Sequence, residues 1–486
     1  MSVIKIEKLA FSYPSGGDTV FDGVDLNIDT EWKLGLIGRN GRGKTTFLKL
    51  LCGKYEYGGR ISSPVAFRYF PYEISDRSCI TADVLASACP AAEEWQFVRE
   101  LSLLDADVSI LYRPFGTLSN GEQTKALLAA LFLNDGSYPL IDEPTNHLDA
   151  DARRAVSKYL SGKQGFILVS HDRAVLDGCV DHILSINKSD IELQTGNFTS
   201  YMTNFEQRQQ LEREQSRRLQ TDIKRLRESA LRTSAWADKV EASKIGAGDK
   251  GYVGHKSAKM MKRAKVTEAR YQREIEQKSR LLKNAEYADE LKLAYEPYRA
   301  ERLALFSSVA PVHDGKEVCT PTTFEITRGK RIALNGKNGC GKSSVLKLLA
   351  EAEPQFSGRL YVAPNVKISY VPQDVSHVKG SIAEYAKSSG ADASLYFTIL
   401  KKLGFKRSEF ENDLSKLSEG QKKKIVMAKS LCEKANLYVW DEPLNYIDIY
   451  TRLQIEELIA QADPTMIFVE HDSAFRNAVA TDVVNL

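Results

Sequence analysis

The sequence predicts an α/β protein: two similar phosphate-loop domains joined by a long antiparallel α-helical hairpin. Three observations carry that prediction. The loop GRNGRGKT at 38–45 recurs as GKNGCGKS at 336–343, and each follows an apolar, β-branched run and opens a helical one. The same three motifs then follow each loop in the same order: LSNGE at 118–122 and LSEGQ at 417–421, DEPTNHLD at 142–149 and DEPLNYID at 441–448, VSHD at 169–172 and VEHD at 469–472. Between the two sets, residues 199–298 are basic and helix-patterned. One G-x-x-x-x-G-K-[ST] match is weak evidence. Two, each with three partners in order, predict two nucleotide sites.

The bounds of the chain agree. Its 486 residues suit about three domains of ordinary size. Hydrophobic content of 43% beside 27% charged residues is that of a globular protein. The start, MSVIKIEKLAFSY, is strand-like and lacks the apolar core of a signal peptide. No apolar run is long enough to span a membrane, so no membrane partner is expected. Cys52, Cys79, Cys89, Cys179, Cys319, Cys340 and Cys432 are scattered, odd in number and without C-x-x-C spacing. They read as reduced thiols of a cytoplasmic protein, not as a disulfide frame or zinc site.

Residues 1–198 are assigned to the first domain. VIKIEKLAF and KLGLIG are its leading strands, and KLGLIG runs through the glycine loop into the helix TTFLKLL. Residues 299–486 repeat the plan with KRIALNG and SSVLKLL. Buried strands of this kind belong to a partly parallel sheet. In the linker, Leu219, Ile223, Leu226, Ala230, Ala237 and Val240 recur in steps of three and four, in a stretch without Gly or Pro from 199 to 243. A helix of about 45 residues is about 65 Å long. Gly246, Gly248, Gly251 and Gly254 then end it, and a second helical run begins near Ser257. The hairpin tip is placed near 244–258.

Each motif has a chemical reading. In the phosphate loops, Gly38, Asn40, Gly41, Gly43 and Thr46, with Gly336, Asn338, Gly339, Gly341 and Ser344, are nucleotide-binding candidates: their backbone N–H groups and the following helix N-terminus suit phosphates. Lys44 and Lys342 supply point charges, and Thr45 and Ser343 offer hydroxyls to Mg²⁺. Asp142 and Asp441, at strand ends, would orient the Mg²⁺ shell. Glu143 and Glu442 come next, turned the other way, and are the catalytic candidates for polarising water. His171 and His471 would bond the γ-phosphate. Ser119 and Gly121, and Ser418 and Gly420, open helices that make a second anion site, too distant along the chain to serve their own loop comfortably. Head-to-tail pairing, each signature capping the other domain's ATP, is expected within one monomeric chain.

With these motifs in place the chain resembles the ABC ATPases, and specifically the ABC-F family: twin ABC-type ATPase domains, no transmembrane domain and a long helical linker. The resemblance covers essentially the whole chain. GYVGHKSAKMMKRAK at 251–265, EPLNYID, and FPYE at 70–73 in place of the usual Gln loop are similar to the Lsa-type antibiotic-resistance group. That resemblance implies an ATP-dependent ribosome-protection factor. It would bind the E site of the bacterial 70S ribosome, touch 23S rRNA and the P-site tRNA, and use the linker tip to displace lincosamide, streptogramin A and pleuromutilin drugs from the peptidyl transferase centre.

Departures from the family pattern predict unequal sites. Tyr72 stands where a Gln is expected, whereas the second domain keeps Gln373, a candidate for nucleotide and metal. Tyr13 is placed to stack adenine, with Pro311 as its expected counterpart. His147 is exchanged for Tyr446.

The linker holds 23 Lys and Arg against 15 Asp and Glu over 201–300, in a chain of net charge +3. Around the tip, Lys256, Lys259, Lys262, Arg263 and Lys265 occur without an intervening acid, in the pattern phosphate contact requires. Tyr252 nearby can stack on an RNA base or support its loop. A solvated lysine face is the ordinary reading of such a run; the hairpin favours RNA. The rival functions are a housekeeping ABC-F translation factor, the ATPase subunit of a transporter, and a scaffold that clamps on ATP without hydrolysing it.

Overall fold

The computed structural model describes residues 2–211 and 293–486 apart from 15–18, 73, 75, 135, 147, 188–190, 314, 352, 354, 389–391, 406–408 and 411, with isolated helical positions as far as Glu228. The chain divides into a compact unit of Met1–Thr199 with Glu290–Leu486, and a second unit, Ser200–Asp289. Residues 198–211 are helical. The hairpin turn, Tyr252 and the basic residues Lys256, Lys259, Lys262, Arg263 and Lys265 lie outside the described residues, as does His147.

Within the first unit the sequence repeat is a structural repeat. The N-terminal copy has strands β1 (Val3–Ser12), β2 (Thr19–Asp29), β3 (Lys33–Gly38), β4 (Gly58–Ser62), β5 (Ala66–Phe70), β6 (Ser137–Asp142), β7 (Phe166–Val169), β8 (His182–Ile186) and β9 (Ile191–Thr195). They form a small antiparallel sheet, order β2-β1-β4, and a larger sheet, order β5-β6-β7-β3-β8-β9, parallel except at the β9 edge. The C-terminal copy has β10 (Arg302–His313), β11 (Lys316–Glu317), β12 (Thr322–Thr327), β13 (Arg331–Asn335), β14 (Phe356–Val362), β15 (Ile368–Val371), β16 (Leu437–Asp441), β17 (Met466–Val469) and β18 (Asp482–Asn485). Its parallel sheet runs β15-β16-β17-β13-β18.

The leading strand VIKIEKLAF belongs to the antiparallel sheet, not the parallel one. Its burial alternates along Ile4, Ile6 and Leu9, because only one face meets the core. KLGLIG is buried on both faces at the centre of the parallel sheet. Ile4, Ile6 and Leu9 pack with Phe47 and Leu48 of the phosphate-loop helix and with Leu36, Leu140 and Ile167. Leu303, Phe306, Val345, Leu346, Leu334 and Ile467 repeat that core in the second copy. A core on both sides of the loop fixes the start of its helix.

A bulge repeated in both copies sets the register between them. Lys8 and Ser308 have φ values of 48° and 50°, and opposite them Gly59 and Gly358 have φ values of 92° and 87°. A Cβ on Gly59 would lie 2.3 Å from the Lys8 carbonyl oxygen, and one on Gly358 would lie 2.1 Å from that of Ser308. The strands cross too closely there for any side chain. Gly358→Ala is therefore expected to destabilise the chain by about 1–3 kcal/mol, read from denaturant unfolding. An unchanged midpoint would show that the crossing yields. The shared bulge also corrects one expectation: it pairs Tyr13 with His313, two residues beyond Pro311, which is buried and paired with Phe356. The segment from bulge to phosphate loop is two residues shorter in the second copy, Ser308 to Gly336 against Lys8 to Gly38, and motif spacing alone does not reveal it.

Candidate functional site: two composite nucleotide sites

Both phosphate loops end on a glycine in the left-handed region, Gly43 at φ 96° and Gly341 at φ 91°, each capping the helix that Lys44 or Lys342 begins. A Cβ at Gly43 would meet Val20 at 2.6 Å. The loop thus turns tightly into the helix, leaving its first N–H groups directed at the place phosphates need them. Lys44 Nζ donates to Gly38 O at 2.7 Å, and Lys342 Nζ to Gly336 O at 2.8 Å. Both ammonium groups thus lie over their loops. Tyr13, just past the end of β1, shares a 2.6 Å hydroxyl–hydroxyl hydrogen bond with Thr46 and keeps 38% of its surface exposed.

The strand-end carboxylates lie beside the loop hydroxyls, with different contacts in the two copies. Thr45 Oγ1 donates to Asp142 Oδ2 at 2.8 Å, and Tyr69 shares that oxygen at 2.9 Å. Asp441 is buried with neither oxygen in a well-formed hydrogen bond; burial raises its pKa to about 6, partly offset by the Ser343 hydroxyl alongside.

The next residue reverses direction for a stated backbone reason. Glu143 and Glu442 have φ of 51° and 46°, and their N–H groups bond Val169 O and Val469 O at 2.9 and 3.0 Å. Positive φ is costly for a residue with a Cβ, by about 1–3 kcal/mol, and strain of this kind clusters at functional sites. Both carboxylates meet their histidines: His171 Nε2 is 3.2 Å from Glu143 Oε1, and His471 Nε2 is 3.3 Å from Glu442 Oε1.

The two glutamates are nevertheless in different environments. Burial raises Glu143 to about 8, with Asp142 adding to the effect, and neither of its oxygens makes a well-formed hydrogen bond. Burial also pushes Glu442 up, but hydrogen bonds from His471, Gln373 and Asn445 outweigh it and hold the group at about 2. Asn445 Nδ2 donates to Glu442 Oε2 at 2.6 Å. Where Gln373 stands in one copy, Tyr72 stands in the other, its buried hydroxyl without a hydrogen-bond partner among the described residues. In the sequence, the only sign of this role for Asn445 is its place three residues after Glu442.

Ser119 and Ser418 cap the signature helices Asn120–Phe132 and Glu419–Cys432, each reciprocated by the side chain of Glu122 or Gln421. Their neighbours face the opposite copy. Asn338, Lys342, Ser343, Gln373, Glu442 and His471 line a cavity of about 400 Å³ that Asn120, Asn146 and Leu148 of the first copy complete. Gly121 lies against Leu148, 3.5 Å from where its Cβ would be. On the other side, Asn40 Nδ2 donates to Tyr446 O at 2.7 Å, and a Cβ on Gly420 would lie 3.0 Å from that of Tyr446. Each site is built from both copies.

A largely buried ion pair that no local sequence pattern marks crosses between the copies. Arg173, after the first histidine motif, donates through both terminal nitrogens to Glu456 and lies 3.6 Å from Asp472. Its counterparts on the other side, by the offsets of Asp172 to Asp472 and Arg153 to Arg452, are Ser473 and Ser157. They line a cavity of about 480 Å³ instead.

Fold and sites together define a tandem phosphate-loop ATPase. The family model described as ABC transporter matches residues 21–146 and 319–445, more than half of the chain. The chain belongs to that family and is an ATPase with two ATP-binding domains. It is 26% identical to the ribosome protection protein VmlR of Bacillus subtilis (strain 168), over 96% of this chain and 83% of that one. It is 26% identical to the ATP-binding protein Uup of Caulobacter vibrioides, over 97% and 75%, and 25% identical to ABC transporter F family member 2 of Arabidopsis thaliana, over 100% and 76%. Among solved structures, the archaeal ribosome recycling factor aABCE1, in complex with the stalk protein aP1, shares the fold with a TM-score of 0.64 at 19% identity, over 98% of this chain and 87% of that one. Among the described residues, no helix is long and apolar enough to cross a membrane.

Proposed function

We propose that this chain is a cytoplasmic ribosome-protection factor that binds the E site of the bacterial 70S ribosome, with its tip directed towards the peptidyl transferase centre. The observation that carries the reading is the similarity, along 96% of the chain, to a protein described as a ribosome protection protein. Residues 1–198 and 299–486 are the ATPase domains, and 199–298 the hairpin that reaches 23S rRNA and the P-site tRNA. Lys256, Lys259, Lys262, Arg263 and Lys265 would contact phosphates, and Tyr252 a base.

ATP holds the two domains together, and hydrolysis, with Glu143 and Glu442 orienting water, releases the ribosome. The donor set fits Mg²⁺. Thr45 with Asp142, and Ser343 with Asp441, place one hydroxyl and one carboxylate beside each phosphate loop. Among the described residues no cluster of three or more His, Cys, Asp or Glu could hold a metal ion by itself; Mg²⁺ here would share its shell with the substrate phosphates. Gln373 would complete the shell in the second site. The bound ion neutralises charge on the phosphates.

Replacing residues 244–256 by a two-glycine turn should abolish growth in lincosamide, streptogramin A and pleuromutilin while co-sedimentation with ribosomes persists. Undiminished resistance would overturn the assignment of the tip. Ribosome association with no protection by the intact chain would instead identify a housekeeping translation factor.

A further inference from the structure

We propose that Lys423 is a positioning residue that couples the two ATP sites, tying the signature helix of one to the glutamate of the other. Its ammonium is buried, at 2% exposure, and donates to three backbone carbonyls: Pro372 at 2.8 Å, Gln373 at 3.2 Å and Asp441 at 3.1 Å. Those three bonds use its full donor capacity. Among the described residues no carboxylate is paired with it. A buried ammonium hydrogen-bonded only to carbonyls is expensive to keep, although Asp441, Glu442, Glu470 and Asp374 offset part of the cost through space, and a Thr occupies the same place in the first copy.

The contacts run from one site to the other. Lys423 lies about one turn into the helix Glu419–Cys432, whose capped start at Ser418 and Gly420 adjoins Tyr446. Tyr446 in turn accepts from Asn40 in the first phosphate loop. At its far end Lys423 holds the backbone of Gln373, whose side chain bonds Glu442, and the carbonyl of Asp441 directly before Glu442. A tilt of the signature helix on closing over the first site therefore moves the groups that hold Glu442 in the second.

The first copy lacks this brace. Thr124 donates to Asn120 O in its own helix at 2.9 Å, and Tyr72 replaces the glutamine. The coupling is built in one direction only. Affinities must still respond reciprocally, but turnover need not.

This inference rests on Glu442 orienting water, so Glu442→Gln is measured first in the full chain. If that variant keeps wild-type turnover, the reading of Glu442 fails on its own. The test of Lys423 is a double-mutant cycle with Ser418→Ala, following kcat and KM for ATP. Lys423→Met should lower kcat on the order of tenfold with KM changed less than about twofold. Ser418→Ala should then lower kcat in wild type but add nothing in the Lys423→Met background. Lys423→Arg should restore most of the rate, and Lys423→Thr, the residue the first copy accommodates, should match Met if the Met variant fails to fold. Independent, multiplicative effects of the two substitutions, or a Lys423→Met or Lys423→Thr rate within twofold of wild type in a folded chain, would overturn the proposal.

Discussion

Replacing Glu143 and Glu442 together by Gln is expected to reduce ATP turnover by about 10²–10⁴-fold, the usual worth of a positioned general base, with ATP binding nearly unchanged. Glutamine keeps the shape of the side chain and removes its charge. The singles should differ. Glu442 is held as a carboxylate by three hydrogen-bond donors, whereas Glu143 lies beside Asp142 with, among the described residues, neither oxygen in a well-formed hydrogen bond. Glu442→Gln is therefore expected to remove the larger share of phosphate release. The check is steady-state phosphate release beside equilibrium nucleotide binding for the three variants. Loss of the larger share in Glu143→Gln instead would mean that the hydrogen-bonded glutamate serves the slower site.

Arg173→Met is expected to cost about 3–5 kcal/mol, the effect of removing one partner from a buried ion pair. Arg173 and Glu456 are each only 12% exposed, so Glu456 would be left buried without its cation. Asp472 keeps Arg452 and is less affected. The loss should show in denaturant unfolding as a lowered midpoint. The double variant Arg173→Met/Glu456→Met should recover more than half of it, because two apolar side chains leave no stranded charge. A single-variant loss under about 1 kcal/mol would place the pair among solvated surface bridges.

Much of the site was legible because nucleotide chemistry is written in short segments. The loops, the strand-end pairs and the histidines each sit within a few residues of a glycine or strand that fixes them. What assembles from distant segments was not legible. Arg173 and Glu456 are 283 positions apart, and no local pattern marks either. Lys423 reads as one of three consecutive lysines, a run that on sequence alone belongs on a surface, yet Lys423 and Lys424 are both buried. The adenine-side residue was misplaced at Pro311 because the offset between the copies is 298 residues at the phosphate loops, Gly38 to Gly336, but 300 at the shared bulge, Lys8 to Ser308.

The one-sided ion pair has an evolutionary meaning as well as an energetic one. A symmetric homodimer builds every contact twice, since each substitution appears in both subunits. It could carry two Arg–Glu pairs across its seam, or none. Fusion of the halves into one chain lifts that restriction, and each half can then change without its twin. Arg173 facing Glu456, with Ser473 and Ser157 opposite, is a difference that two identical subunits could not carry. The same freedom let Tyr72 and Gln373 diverge. A single polypeptide can in this way hold one firm joint and one loose joint, and pass that handedness on.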